Sequence, residues 1–153
     1  MNIIIYDLKP TSVVLVGSAA LRKMRRGSDL DFLIIGRKGE VPAVENTNIV
    51  VVTEKEFVEK YMKGDDFLVS ALTFGRILYD REFFIKFYEK PMPVFSQELI
   101  QEKIKYCERL EERIYALLRS DTEKAREELL YLALQVARII LLKNGIVPGC
   151  LLY

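Results

Sequence analysis

Two apolar runs separated by a short basic segment restrict what this chain can build more than any other feature. Val13-Val14-Leu15-Val16 ends on Gly17-Ser18, and Asp29-Leu30-Asp31 opens Phe32-Leu33-Ile34-Ile35. Unbroken runs of valine, isoleucine and leucine of this length, punctuated by glycine, read as buried strands. Side chains alternate along a strand, so Asp29 and Asp31 are expected on one face, roughly 6.6 Å apart along the chain. Two carboxylates on one face, beside a Gly-Ser turn, suit a divalent metal carrying a phosphate ester.

Composition narrows the classes of chemistry. The chain has 153 residues, enough for one domain or a small domain with a helical appendage. Half of it is apolar and 29% is charged, the balance of a globular protein with ample core material. The net charge of +1 provides no global field for nucleic acid or an anionic membrane. Locally, Arg22, Lys23, Arg25 and Arg26 crowd the segment before the paired aspartates. Histidine is absent, which excludes histidine-dependent triads and zinc sites with imidazole ligands. Cys107 and Cys150 have no metal-ligand spacing and read as free thiols of a reducing cytosol. No basic-then-apolar leader and no apolar run near ~18 residues is present, so the expectation is a cytoplasmic protein that does not cross a membrane.

Along the chain, residues 2–5 are a candidate short strand, followed by buried strands at 12–17 and 29–36 and a third at 48–53. A short helix is expected from Ser18 to about Arg25. Thr53-Glu54-Lys55-Glu56 fits a capping box for a helix to about Met62. A helix over Asp66–Phe74 stopped by Gly75, a strand over Arg76–Tyr79 and a helix over Glu82–Glu89 follow. Pro91-Met92-Pro93 is the candidate boundary between a first domain, 1–92, and a helical region, 93–153. Leu99, Ile104, Cys107, Leu110 and Ile114 mark one long amphipathic helix, and Leu129, Leu132, Val136 and Ile140 a second. A capping box at Ser120-Asp121-Thr122-Glu123 separates them, and Asn144-Gly145 ends the second helix. The short link implies an antiparallel hairpin. Its broad apolar stripes are expected to pack on the first domain, on a second copy, or on both. The apolar tail from Ile146 to Tyr153 is expected to be buried.

In this order and spacing, Leu15-Val16-Gly17-Ser18 and Ser28-Asp29-Leu30-Asp31-Phe32-Leu33 resemble the nucleotidyltransferase superfamily, whose fold is shared with DNA polymerase beta. The resemblance covers about residues 12–80, and Arg76-Ile77-Leu78-Tyr79-Asp80 looks like the closing segment of its small prokaryotic members. It implies an α+β fold: a mixed β-sheet with flanking helices, followed here by a C-terminal antiparallel helical hairpin. It also implies transfer of a nucleoside monophosphate from a nucleoside triphosphate to an acceptor hydroxyl. Asp29 and Asp31 would then be the catalytic metal ligands for Mg²⁺, with two ions possible. Gly17 and Ser18 would meet the phosphates, with Ser18 adding hydroxyl and backbone donors at the start of a helix. Ser28 and Lys23 complete the nucleotide-binding set, with Arg25 and Arg26 as further phosphate-screening cations.

The sequence also departs from that pattern. The superfamily's third carboxylate, metal ligand and general base, falls where this chain has Asn48, and an amide cannot accept a proton. Glu45 and Glu54 are substitutes by proximity alone. Ala20 and Arg22 stand where small members commonly show Arg and Gly. The alternative reading is therefore a catalytically weak or inactive nucleotide-binding regulatory module, antitoxin-like. An RNA-binding adaptor is not favoured, because residues 22–26 supply too small a basic surface. The hairpin is expected to make the protein a homodimer.

Overall fold

The computed structural model describes residues 9–39, 41 and 43–149. The expected strand at 2–5, Cys150 and the last residues of the apolar tail lie outside that range. Among the described residues four strands, β1 (Ser12–Val16), β2 (Leu30–Ile35), β3 (Thr47–Val52) and β4 (Arg76–Asp80), form one sheet in the order β3-β2-β1-β4. β1 runs antiparallel to β2 and β4, and β2 runs parallel to β3, so the sheet is mixed as expected. Among the described residues five α-helices accompany it: α1 (Gly17–Ala20), α2 (Glu54–Met62), α3 (Asp66–Phe74), α4 (Gln97–Leu117) and α5 (Thr122–Lys143).

Period-two alternation assigns each strand residue a face. Val14, Val16, Leu33, Ile35 and Val52 point to one side, where Phe57 and Tyr61 of α2 and Leu68, Ala71 and Leu72 of α3 bury them. Phe84 and Phe87 complete that core, and Phe57 stands edge-on to both at centroid distances of 5.7 and 4.9 Å. The opposite side carries a smaller cluster around Val13 and Ile34, with Phe32, Val41, Ile49 and Val51 against it.

The helix signals of the sequence are mostly realised. Thr53 and Glu56 form the reciprocal capping box of α2, and Asp65 caps α3 by accepting from the Leu68 N–H at 3.0 Å. α3 stops at Gly75, whose backbone turns extended, and only glycine fits there: a Cβ would lie 2.3 Å from the Ala71 carbonyl oxygen and 2.7 Å from Val14 Cγ1. α5 is capped one residue later than expected, by Asp121, whose carboxylate accepts from the Lys124 N–H.

Two helical expectations are corrected. α1 ends at Ala20 rather than near Arg25. The Arg22 N–H reaches the Ala19 carbonyl and the Lys23 N–H reaches back to that of Ser18, the paired bonds of a Schellman ending. Arg22 holds the left-handed position of that ending at φ 56°, a conformation disfavoured by ~1–2 kcal/mol without glycine. The residue that departs from the superfamily pattern therefore occupies the turn where glycine would be unstrained.

The helix expected over Glu82–Glu89 is reduced to one 3-10 turn, Ile85–Phe87. Asp80 causes this. Its carboxylate accepts from the Ser12 hydroxyl at 2.5 Å and from the N–H groups of Phe83, Phe84 and Ile85 at 3.2, 3.0 and 3.0 Å. Burial pushes the Asp80 carboxyl up, but those bonds outweigh it and hold its pKa below the ordinary value. A depressed folded pKa contributes stability fully above the unfolded value of ~4 and loses it as pH falls through the folded one. Asp80→Asn is expected to cost about 1–2 kcal/mol in urea denaturation at neutral pH, with partial exposure already discounted. The gap from wild type should narrow as pH drops below ~4. Equal stability of the two proteins at neutral pH would remove the charge from this role.

The hairpin docks on α3 through Leu142, Phe95 and Val69, with Leu99, Ile100 and Val147 around them. The Ser70 hydroxyl donates to the Pro148 carbonyl at 3.2 Å. Pro148 is buried, but Ile146 is half exposed, so burial of the tail's described part is incomplete.

Candidate functional site

The sheet face that carries Leu33, Ile35 and Val52 into the core changes character at its end. In register, Val16 of β1 lies opposite Asp31 of β2, and Asp31 lies opposite Asn48 of β3. Here a carboxylate and an amide replace the aliphatic pairs and face a cleft of about 750 Å³. β2 starts at Leu30, so Asp29 precedes the strand instead of opening it. The two carboxylates nevertheless converge: the Asn48 amide nitrogen donates to Asp31 Oδ1 at 3.0 Å and faces Asp29 Oδ2 at 3.4 Å. Asp29 is exposed and Asp31 half-buried.

Gly17 is required at this junction twice over. Its φ of +68° lies in the left-handed region, and a Cβ would sit 2.3 Å from Asp31 Oδ2. β1 can thus turn into α1 directly against the Asp31 carboxylate only with glycine at this position. Ser18, Lys23, Arg25 and Ser28 also line the cleft, whereas Arg26 does not. The Ser28 hydroxyl accepts from the Arg25 N–H at 3.0 Å while the Ser28 N–H returns to the Arg25 carbonyl, which closes the basic loop over the cleft.

The position of the third carboxylate is answered by residue identity. Asn48 stands beside Asp31, as the strand comparison expected. Glu54 does not replace it, because it accepts from Thr11 at 2.6 Å, beyond the opposite end of β1. Glu45 is exposed and does not line the cleft. Among the described residues, no third acidic side chain joins Asp29 and Asp31 in a metal-binding group.

One wall of the cleft was not assigned from the sequence. Phe67, Ser70, Ala71, Phe74 and Gly75 line it from α3 and its stop, with Leu21, Phe32 and Val50 nearby. A signal was present: α3 has six apolar residues in nine, distributed all round, more than one buried stripe needs. The aromatic run from Tyr79 to Tyr88, by contrast, supplies core: Phe84 and Phe87 are buried, and none of the run lines the cleft.

The mixed sheet thus ends in a Gly-Ser turn beside paired aspartates, with a basic loop at the same cleft. The family model for the nucleotidyltransferase domain matches residues 4–136, and the chain belongs to that family. Among solved structures, a nucleotidyltransferase-like protein from Exiguobacterium sibiricum 255-15 is similar at 13% identity and a TM-score of 0.48. The match covers 99% of this chain and 58% of that one, so this chain spans little more than half of that structure's length. Comparison with curated proteins gives no match. No helix among the described residues is long and apolar enough to cross a membrane.

Proposed function

We propose that this protein binds a nucleoside triphosphate with Mg²⁺ in the cleft and transfers the nucleoside monophosphate to an acceptor hydroxyl. The observation that carries the reading is the convergence of Asp29, Asp31 and Asn48 beneath Gly17. The donor chemistry fits a hard cation: two carboxylates aim at one point, and turning the Asn48 amide about its last torsion presents a carbonyl oxygen to them. Asp29 and Asp31 would hold the ion, with Asn48 as a neutral third ligand. When bound, Mg²⁺ supplies neutralisation of charge on the triphosphate and the leaving pyrophosphate.

The chain's own groups supply the rest. Gly17 leaves space for phosphate oxygens against the backbone, and Ser18 offers a hydroxyl donor. Lys23 and Arg25 lower the local density of negative charge. The α3 wall, with Phe67 and Phe74, provides apolar surface for the base and sugar. In the transfer, the acceptor oxygen bonds to the α-phosphorus and the bond to the pyrophosphate oxygen breaks. The acceptor proton passes to solvent, since Asn48 cannot take it. That last point favours one second reading, a nucleotide-binding module with little or no transfer.

Titration calorimetry tests the shared part of both readings. Mg²⁺ is expected to tighten triphosphate binding to the wild type, and Asp31→Asn to remove that gain. Equal affinity with and without Mg²⁺ would sink the metal role of the aspartates. Release of pyrophosphate with each labelled triphosphate then separates enzyme from binding module.

A further inference from the structure

Along its second half α5 is apolar on its outward side, while two of its polar residues lie inward beside Ile139 and Leu142. From Leu129 to Leu142 its only residues with polar groups are Tyr131, Gln135 and Arg138. Gln135 and Arg138 are among the buried polar residues of the molecule, 9% and 7% exposed. Meanwhile Leu129, Leu130, Leu134, Val136 and Ile140 are between 42% and 62% exposed. At 100° per residue, these five and Ala133 cover an arc of roughly 160° that contains no polar side chain. A helix that met only water on this side would carry its polar groups there, not beneath.

We propose that the outward face of α5 is a self-association surface, covered by the same face of a second copy of this chain. Three observations select that occupant. First, the face is uncharged and apolar throughout, so two copies complement each other without any opposite charge to match. Second, it runs about 18 Å along the helix axis, so two copies can pair antiparallel about a two-fold axis along its whole length. Third, the five large side chains offer on the order of 500 Å² per copy. A symmetric pair then buries about 1,000 Å² from them alone, the lower bound for a specific interface before flanking residues are counted. α4 presents the opposite character: Glu102, Lys105, Glu108, Arg109, Glu111 and Glu112 are all exposed, which suits its outer side to water.

Sedimentation equilibrium of the full chain at tens of micromolar is expected to give twice the protomer mass of 17.7 kDa. Leu134→Glu and Ile140→Glu are each expected to weaken association by roughly 30-fold or more, while Glu111→Lys on α4 leaves it unchanged. Both α5 positions are exposed in the protomer, so circular dichroism should report unchanged helix content. Should either glutamate variant lose helix, Leu134→Gln, which adds no charge, is expected to weaken association without that loss. A wild-type mass of 17.7 kDa over the whole range overturns the proposal. A dimer indifferent to the α5 substitutions while the variants remain folded overturns it equally.

Discussion

Replacing Asn48 with Asp is expected to raise any transfer rate by ~10²–10⁴-fold, the usual contribution of a positioned general base. The gain follows from the register, because residue 48 lies directly opposite Asp31 and its side chain already reaches both aspartates. A carboxylate placed there can accept the proton that an amide cannot. The same change carries a stability signature independent of turnover. Without metal, it removes the amide's donation to Asp31 and places a third negative charge within reach of two others. At ~4 Å, repulsion of one such pair lies between ~1 kcal/mol in water and ~4 kcal/mol at a partly buried site. The exposure of Asn48 argues for the lower end.

The variant should therefore melt below wild type in a chelator and gain more than wild type from added Mg²⁺. Thermal denaturation with and without the ion reads that difference, and pyrophosphate release reads the rate. A metal-enhanced melting shift without faster release would mean that the site accepts a third ligand but the cleft receives no acceptor. No differential shift would mean that the three side chains do not share an ion.

Much of this architecture was legible in the sequence because short-range signals dictated it. Apolar runs ending in Gly-Ser placed β1, the Thr53–Glu56 box opened α2, and Gly75 closed α3. The convergence of Asp29 and Asp31 was legible as well, although Asp29 lies just outside the strand whose alternation was invoked. Where the reading failed, backbone conformation and contacts that composition does not report prevailed. The pattern from Glu82 to Glu89 is helical by composition, yet Glu82 turns left-handed at φ 59° and the Asp80 carboxylate takes the next three N–H groups, leaving one turn. Arg22 gave no sign of adopting a left-handed turn, because that conformation is set by the Schellman bonds around it. The α3 wall of the cleft escaped notice because one helix there serves two contacts, core on one side and cleft on the other. The polarity of α5 was equally hidden: periodicity reports an apolar stripe but not which stripe faces inward.

The second large expected effect lies where that helix meets the hairpin. Arg138 of α5 donates from Nε to Asp66 Oδ2 at 2.5 Å, and Lys103 of α4 approaches Asp66 Oδ1 at 3.0 Å. Asp66 is 3% exposed at the first turn of α3, so its charge depends on these partners for compensation. Arg138→Met keeps most of the volume and removes the guanidinium. Breaking a buried pair in this way typically costs 3–5 kcal/mol, and the remaining Lys103 argues for about 3 kcal/mol. At ~2–4 °C per kcal/mol for a chain of this size, the melting temperature should fall by roughly 6–12 °C. Removing both charges is a different matter, since buried ion pairs contribute little net stability beside apolar replacements. Asp66→Asn combined with Arg138→Met should therefore recover much of the loss, and a double-mutant cycle measures the coupling. Equal and additive losses would mean that the two residues are held independently. Strong coupling would make Asp66 the joint through which the hairpin fixes α3, and α3 carries Phe67, Ser70, Ala71 and Phe74 along the cleft. Triphosphate affinity should then fall in the Arg138→Met protein even at temperatures where it remains folded. A folded variant with wild-type affinity would confine the joint to stability alone.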